Sequence, residues 1–201
     1  MQRSRRALGF DKALKRATVK REMNMKLGKF FVVLGMVLLV FGVFRVAAGQ
    51  GTATPQEIIA KVQEATNTLA KATAAKSGEA SLKQFSQKES PWVWKDSYVF
   101  VLDCSTNTIA AHPIKPELIG KDITTMKDTK GTAFFGQLCE ATKRPSGVWV
   151  EYWWPKPGEK EGSRKVSYAL NAHGTPYVVG AGIYDDKITI AELEKLTHSM
   201  K

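Results

Sequence analysis

VWVEYWW (148–154), KVSYALN (165–171) and PYVVGAGIY (176–184) are the segments that decide the fold of this chain. Each is rich in β-branched and aromatic residues, which predicts a strand. The turns at 155–162 and 172–175 contain the Pro and Gly residues that separate one strand from the next. Three consecutive strands joined by short turns favour an antiparallel sheet.

A predicted hairpin precedes these three strands. YVFVL (98–102) and TIAA (108–111) flank the polar turn at 103–107, which contains Asp, Ser and Asn. Between the hairpin and the later strands, TAFFGQLCEAT (132–142) places its apolar residues on one side of a predicted helix. Five antiparallel strands with one inserted helix indicate an α+β fold.

Further helices are predicted before and after the strands. TPQE (54–57) has the form of a capping box, and apolar residues then recur at helical spacing to about Ala75. Leu82 and Phe85 indicate a second, short helix, and residues 187–201 indicate a short polar helix at the C-terminus. The long first helix is amphipathic, so we expect it to pack on the sheet.

The net charge of +11 is concentrated at the start of the chain. Residues 1–29 contain ten Lys or Arg and two acidic residues, and Arg45 adds one more positive charge. Residues 49–201 therefore carry a net charge of only +2. This distribution leaves no basic stripe for phosphate contacts and argues against a nucleic-acid-binding function.

The apolar run FFVVLGMVLLVFGVF (30–44) follows the basic segment. A basic region, a short apolar core and small residues at the exit are typical of a secretory signal, here with cleavage after Ala48. The alternative is an uncleaved inner-membrane anchor over residues 30–49. Either interpretation predicts a periplasmic or extracytoplasmic location, with membrane contact only through this N-terminal segment.

The leader is long for a signal, and a start at Met25 would give it the usual proportions. The predicted organisation is a leader with signal or anchor at 1–48, a helical region at 49–90 and a sheet domain with a C-terminal helix at 91–201. Residues 49–201 are enough for one domain with its own core.

Six short segments occur in a fixed order along the chain. They are WKDSYVFVLD (94–103), AAHP (110–113), KD (127–128), GVWVEYWW (147–154), RKVSY (164–168) and GAGIY (180–184). In that order they resemble a single Cache domain of the second type, a PAS-like sensor family that projects from bacterial membranes. The resemblance implies a PAS-like five-stranded antiparallel sheet with a long N-terminal helix and one inserted helix. It also implies binding of a small organic molecule rather than catalysis.

The ligand that the resemblance implies is a small carboxylate such as acetate, propionate, lactate or pyruvate. Carried over residue by residue, the family's aromatic and polar ligand-binding positions fall on Trp94, Tyr98, His112, Trp149, Tyr152, Lys165, Tyr168 and Tyr184. Lys165 is the candidate cation, since a buried carboxylate needs a compensating charge. Two glycines, Gly180 and Gly182, leave room beside Tyr184 on the last strand.

Each of these residues also has a structural explanation. The tryptophans can be core residues, His112 can satisfy a backbone group, and Lys165 can lie on a solvated surface. Because side chains alternate along a strand, Lys165 and Tyr168 share a face only if a bulge intervenes.

Cys104 and Cys139 are the two cysteines of the chain. In an oxidising compartment such a pair favours a disulfide, here between the hairpin turn and the inserted helix. Two buried free thiols are the alternative. The spacing is not that of a CxxC redox site or a haem attachment site.

The sequence contains no nucleophile elbow, HExxH, P-loop or dinucleotide fingerprint. We therefore expect a protein that is not an enzyme and that needs no cofactor or metal. The predicted function is small-molecule sensing by a standalone Cache domain, with signal output through a separate membrane receptor or transporter. The alternative is a structural or interaction subunit of an envelope complex, whose pocket is filled by its own tryptophans.

Overall fold

The computed structural model describes residues 51–200, so the expectations about the leader, the signal and the anchor lie outside it. Within residues 51–200, no helix combines the length and the apolar character that crossing a bilayer requires. The first helix, α1, is Pro55–Ala74. Thr54 and Glu57 form the predicted capping box, because each side chain accepts the backbone N–H of the other residue.

Three shorter helices follow α1. Helix α2 is Gly78–Phe85, and α3 is Phe135–Cys139, which continues as the 3₁₀ turn Glu140–Lys143. Helix α4 is Ile190–Ser199. It begins later than the predicted residue 187 because Thr189 caps it in a second capping box with Glu192.

The strands form one large and one small sheet. The small sheet pairs β1 (Val93–Trp94) with β2 (Ser97–Tyr98). The strands of the large sheet are β3 (Phe100–Asp103), β4 (Thr108–Ala111), β5 (Val148–Pro155), β6 (Gly162–Asn171) and β7 (Tyr177–Tyr184). All neighbours are antiparallel in the order β4-β3-β7-β6-β5. The predicted α+β class with five antiparallel strands is therefore confirmed.

The face of the sheet that packs against α1 will be called the helix face. The buried side chains of α1 are spaced at helical intervals and include Ile59, Val62 and Leu69. They join Val166, Val179, Ala181 and Ile183 of the sheet in one apolar cluster. Because α1 carries a capping box and a continuous apolar stripe, local sequence and tertiary packing favour the same helix here.

The opposite face will be called the cavity face, and its core is mainly aromatic. Phe100 and Leu102 of β3 and Tyr152 and Trp154 of β5 point to this side. Helix α3 and the loop before it cover them with Phe134, Phe135 and Leu138. Two separate cores on one sheet follow from strand alternation, because successive residues point to opposite faces.

Candidate functional site

A small cavity lies on the cavity face, between the sheet and the segment 112–139. The cavity volume is about 10 Å³, about the space that one water molecule requires. Its lining is aromatic and aliphatic with a few polar tips: Tyr98, Phe100, Leu102, Ile109, His112, Phe134, Phe135, Tyr152 and Trp154. Apolar walls with a few convergent polar groups are the usual composition of a small-ligand site.

Lys165 lies beside this cavity and is completely buried. It is opposite Tyr152 of β5 and Tyr184 of β7 in the register of the sheet, so its stem crosses the centre of the cavity face. The neighbouring Gly182 makes room for that stem. A Cβ built on Gly182 would lie 2.7 Å from Lys165 Cε, and a side chain at this position would displace the lysine.

Aromatic rings surround the Lys165 ammonium. Its Nζ lies 3.9 Å from the centroid of the Tyr98 ring, 5.0 Å from that of Tyr184 and 5.8 Å from that of Phe100. Among residues 51–200, no acceptor lies within hydrogen-bonding distance of Nζ. Burial lowers the pKa of Lys165 from 10.5 to about 7; the charge of Asp96 raises this pKa and that of Lys115 lowers it further.

His112 follows β4 and forms part of the cavity wall. Its Nδ1 accepts a hydrogen bond of 3.0 Å from the Lys115 backbone N–H, so the neutral ring carries its proton on Nε2. Burial, together with the nearby charges of Lys165 and Lys115, lowers the pKa of His112 to about 3. The imidazole is therefore a neutral hydrogen-bond donor at physiological pH.

The tyrosine hydroxyls of the site differ in their partners. The Tyr152 hydroxyl shares a hydrogen bond of 2.7 Å with Ser167 Oγ, and the Tyr184 hydroxyl donates to the Pro155 carbonyl at 2.8 Å. Burial raises the pKa values of Tyr98, Tyr152 and Tyr184 well above the ordinary value of 10. All three hydroxyls therefore keep their protons and can act as hydrogen-bond donors.

The segment 112–139 forms the roof of the cavity. The Phe134 ring stacks on the Tyr152 ring with 3.8 Å between centroids, and the edge of Phe135 meets Trp154. Phe135 also lines a surface groove of about 390 Å³ on the outer side of the roof. Phe135 therefore contributes to the walls of both the cavity and the outer groove.

Several contacts attach the roof to the sheet, and two of them flank Phe134 and Phe135. The Asp128 carboxylate accepts the backbone N–H groups of Lys130, Thr132 and Trp153, all between 2.8 and 2.9 Å. The second attachment is a disulfide between Cys104, in the β3–β4 turn, and Cys139, at the end of α3. Phe134 and Phe135 lie between these two anchor points.

The structure brings five of the eight predicted site residues together: Tyr98, His112, Tyr152, Lys165 and Tyr184. The other three lie away from the cavity. Trp149 and Tyr168 point to the helix face, where the Trp149 indole N–H donates to Thr197 Oγ1 and the Tyr168 hydroxyl donates to the Ser146 carbonyl. Trp94 packs against the same cluster.

Strand alternation explains this division. The β5–β6 and β6–β7 registers run without a bulge, so Lys165 and Tyr168 lie on opposite faces. The same rule separates Trp149 from Tyr152 on β5. Gly180 and Gly182 were expected to leave room beside Tyr184. In the structure the Phe100 ring and the Lys165 stem occupy the space next to these glycines.

Sequence reasoning missed several residues of the cavity wall. They are Phe100, Leu102, Ile109, Phe134, Phe135 and Trp154. A period of two from Tyr98 through Phe100 to Leu102 was a usable signal, because these side chains alternate toward one face. For Phe134 and Phe135 the sequence indicated only the apolar side of a helix predicted at 132–142, whereas in the structure Phe134 lies in the loop before a helix that begins at Phe135.

The fold and the site define a sensor-type domain: a five-stranded sheet with a long N-terminal helix on one face and a small buried cavity on the other. The chain belongs to the Cache domain family, since the profile of that family matches residues 57–189, more than half of the chain. This confirms the resemblance to the second type of single Cache domain. Cache domains are extracytoplasmic sensor domains rather than catalytic ones.

Two curated relatives are parts of signalling proteins. The methyl-accepting chemotaxis protein McpP of Pseudomonas putida is 30% identical over 93 residues, 46% of this chain and 17% of that protein. The sensor histidine kinase MctS of Rhizobium johnstonii is 31% identical over 94 residues, 47% of this chain and 20% of that protein. The similarity therefore spans about a fifth of each relative's length.

Solved structures show the same fold. A periplasmic sensor domain of a chemotaxis protein matches with a TM-score of 0.56 at 22% identity, covering 72% of this chain and all of that one. A Cache chemosensory domain studied for carboxylic acid recognition matches with a TM-score of 0.53 at 28% identity, covering 64% of this chain and 88% of that one. The first of these supports the fold alone.

Proposed function

We propose that this chain is an extracytoplasmic sensor that binds a small carboxylate between Lys165, His112 and the cavity tyrosines. Its location outside the cytoplasm rests on Cache family membership and on the predicted signal or anchor. In the proposed arrangement the domain passes its ligand state to a membrane receptor or transporter.

The observation that carries the proposal is Lys165, a fully buried amine without an acceptor among residues 51–200. An unpaired buried charge costs several kcal/mol, so a protein that only needed a stable core would favour an apolar residue here. A carboxylate would provide both the missing charge and the missing acceptor. The Nε2–H of His112 and the hydroxyl of Tyr98 are donors at the same cavity.

The cavity volume limits the size of the ligand. At about 10 Å³ the cavity does not accommodate even acetate, so binding requires the roof to move outward. Phe134 and Phe135 line the cavity from the roof, so we expect these side chains to shift. Support for a carboxylate also comes from the related domain studied for carboxylic acid recognition.

Differential scanning fluorimetry of the full-length chain with acetate, propionate, lactate and pyruvate tests the proposal. We expect a rise in melting temperature with at least one of these carboxylates, because a ligand that binds only the folded state stabilises it. Lys165→Met should lower the affinity by at least about 30-fold, since it leaves the carboxylate buried without a cation. Lys160→Met, at an exposed position in the β5–β6 turn, is the matched control.

A second candidate function is a structural or interaction subunit that binds no ligand. One observation favours it: Phe134 stacks on Tyr152 and the roof fills most of the cavity with the protein's own side chains. The absence of a thermal shift with every carboxylate, in the wild type and in Lys165→Met alike, would support this second function.

A further inference from the structure

The position of Lys165 determines whether its amine can reach water when the cavity is empty. The inference drawn from this position rests on the proposed function. The amine is held by the β6 backbone at the centre of the sheet, with β5 on one side and β7 on the other. Its stem has no free path to solvent, since the residue has no exposed surface. The lysine therefore cannot move to water when the cavity is empty, as a lysine at the rim would do.

Among residues 51–200, the groups that stabilise a charged Lys165 in the empty cavity are aromatic rings and the more distant charge of Asp96. Contact with an aromatic face offsets only part of the free-energy cost of burying an ion. The nearest ring, that of Tyr98, is 3.9 Å from Nζ. The empty site is therefore more compatible with the neutral amine, in agreement with a pKa lowered to about 7.

We propose that a small carboxylate binds to this site together with one proton, which Lys165 takes up as the carboxylate enters. The amine and the carboxylate anion are then converted into an ammonium–carboxylate pair inside the cavity. The proton comes from solvent, and no bond other than the new N–H is formed. The domain would thus sense the carboxylate and the proton jointly.

The other titratable groups around Lys165 do not supply this proton coupling. Tyr98, Tyr152 and Tyr184 keep their protons because burial raises their pKa values, and His112 stays neutral because its pKa is about 3. Asp96, in the β1–β2 turn, and Lys115, after β4, are half-buried and act on Lys165 through their charges. Lys165 is therefore the group near the cavity that can change charge around neutral pH.

The sign of the pH dependence follows from linkage. Below about pH 7 the free protein already carries the ammonium, so binding takes up almost no proton. Above that pH the free amine is neutral while the bound pair keeps the proton. We therefore expect the affinity to fall by about tenfold for each pH unit above 7.

Isothermal titration calorimetry of the full-length chain tests this inference. The carboxylate that gives the largest thermal shift is titrated at about pH 6 and about pH 8.5, each in two buffers of different ionisation enthalpy. We expect an uptake of close to one proton per bound carboxylate at the higher pH and close to none at the lower. This measurement needs no variant, so it stands even if a substitution at Lys165 prevents folding.

Two variants test whether Lys165 is the residue that takes up the proton. Lys165→Arg keeps a cation that does not deprotonate, so we expect proton uptake to vanish and the affinity to become independent of pH. His112→Gln should weaken binding but keep the proton uptake. Binding without proton uptake at about pH 8.5, or loss of uptake in His112→Gln, would overturn the inference and leave carboxylate binding intact. No binding at either pH would overturn the proposed function itself.

Discussion

The two faces of the sheet are built from the same strands but serve different purposes. On the helix face, aliphatic side chains of α1 pack against those of β6 and β7. On the cavity face, aromatic rings surround a lysine without an acceptor. The first face stabilises the fold, whereas the second places a destabilising group at its centre. The comparison indicates that the stabilising core and the proposed ligand site are separated by strand alternation rather than by position along the chain.

The largest expected effect tests the helix face. Leu69→Ala removes a fully buried side chain of α1, so we expect the free energy of unfolding to fall by about 2–5 kcal/mol. Ligand affinity should not change, because Leu69 lies across the sheet from the cavity. Urea unfolding and carboxylate titration of the same variant measure both quantities. A change in affinity of more than a few fold would contradict the separation of the two faces.

The disulfide anchors the roof on the cavity face, and its removal is expected to have the next largest effect on stability. The double variant Cys104→Ser/Cys139→Ser opens a loop with a sequence separation of 35 residues. We expect a loss of about 2–4 kcal/mol, because the unfolded chain regains conformational entropy. Release of one end of the roof should also speed ligand dissociation, which Leu69→Ala should not do. Stopped-flow kinetics of the two variants separates these effects.

The titration of Lys165 predicts a pH dependence of the unliganded protein. Between about pH 7 and 10.5 the unfolded chain keeps the lysine proton that the folded chain has lost. Stability should therefore rise with pH, by up to about 1.4 kcal/mol per unit from this residue, and should lose this contribution as the pH falls to 7. Urea unfolding across this window should show the slope in the wild type and in Lys160→Met, but not in Lys165→Met. An unchanged slope in Lys165→Met would assign the effect to other groups.

The smallest expected effect comes from the removal of one tyrosine hydroxyl on each face of the sheet. Tyr168→Phe removes a hydrogen bond to the Ser146 carbonyl, and Tyr152→Phe removes one with Ser167 Oγ. Each should cost about 1 kcal/mol of stability. Only Tyr152→Phe should also alter carboxylate affinity, because Tyr152 lines the cavity and Tyr168 does not. Equal effects on affinity would mean that the two faces are coupled through β5 and β6.

Regular elements were the part of the fold that the sequence predicted well. The capping box at Thr54, the apolar stripe of α1 and the three long strands depend on local patterns that the structure retains. The strand predicted at 98–102 is interrupted, since Tyr98 pairs in the small sheet and Phe100 in the large one. That change depends on partners distant in sequence, which local patterns do not contain.

Strand alternation predicts which residues of β5 and β6 can share the candidate site. Family resemblance grouped Trp149 and Tyr168 with Tyr152 and Lys165, although the alternation within β5 and β6 separates them. The roof could not be derived in this way. Its position depends on Asp128 and on the Cys104–Cys139 bond, which connect a loop to strands far away in the chain.

Gly182 shows how a residue without a side chain can determine the shape of a candidate site. A single methyl group at this position would collide with the Lys165 stem, with Ser167 Oγ and with the Val166 carbonyl. In a saturation mutagenesis screen we therefore expect Gly182 to tolerate no other amino acid and to score like a ligand-contacting residue. Such a screen would suggest that Gly182 contacts the ligand, although its role is to leave space for the Lys165 stem.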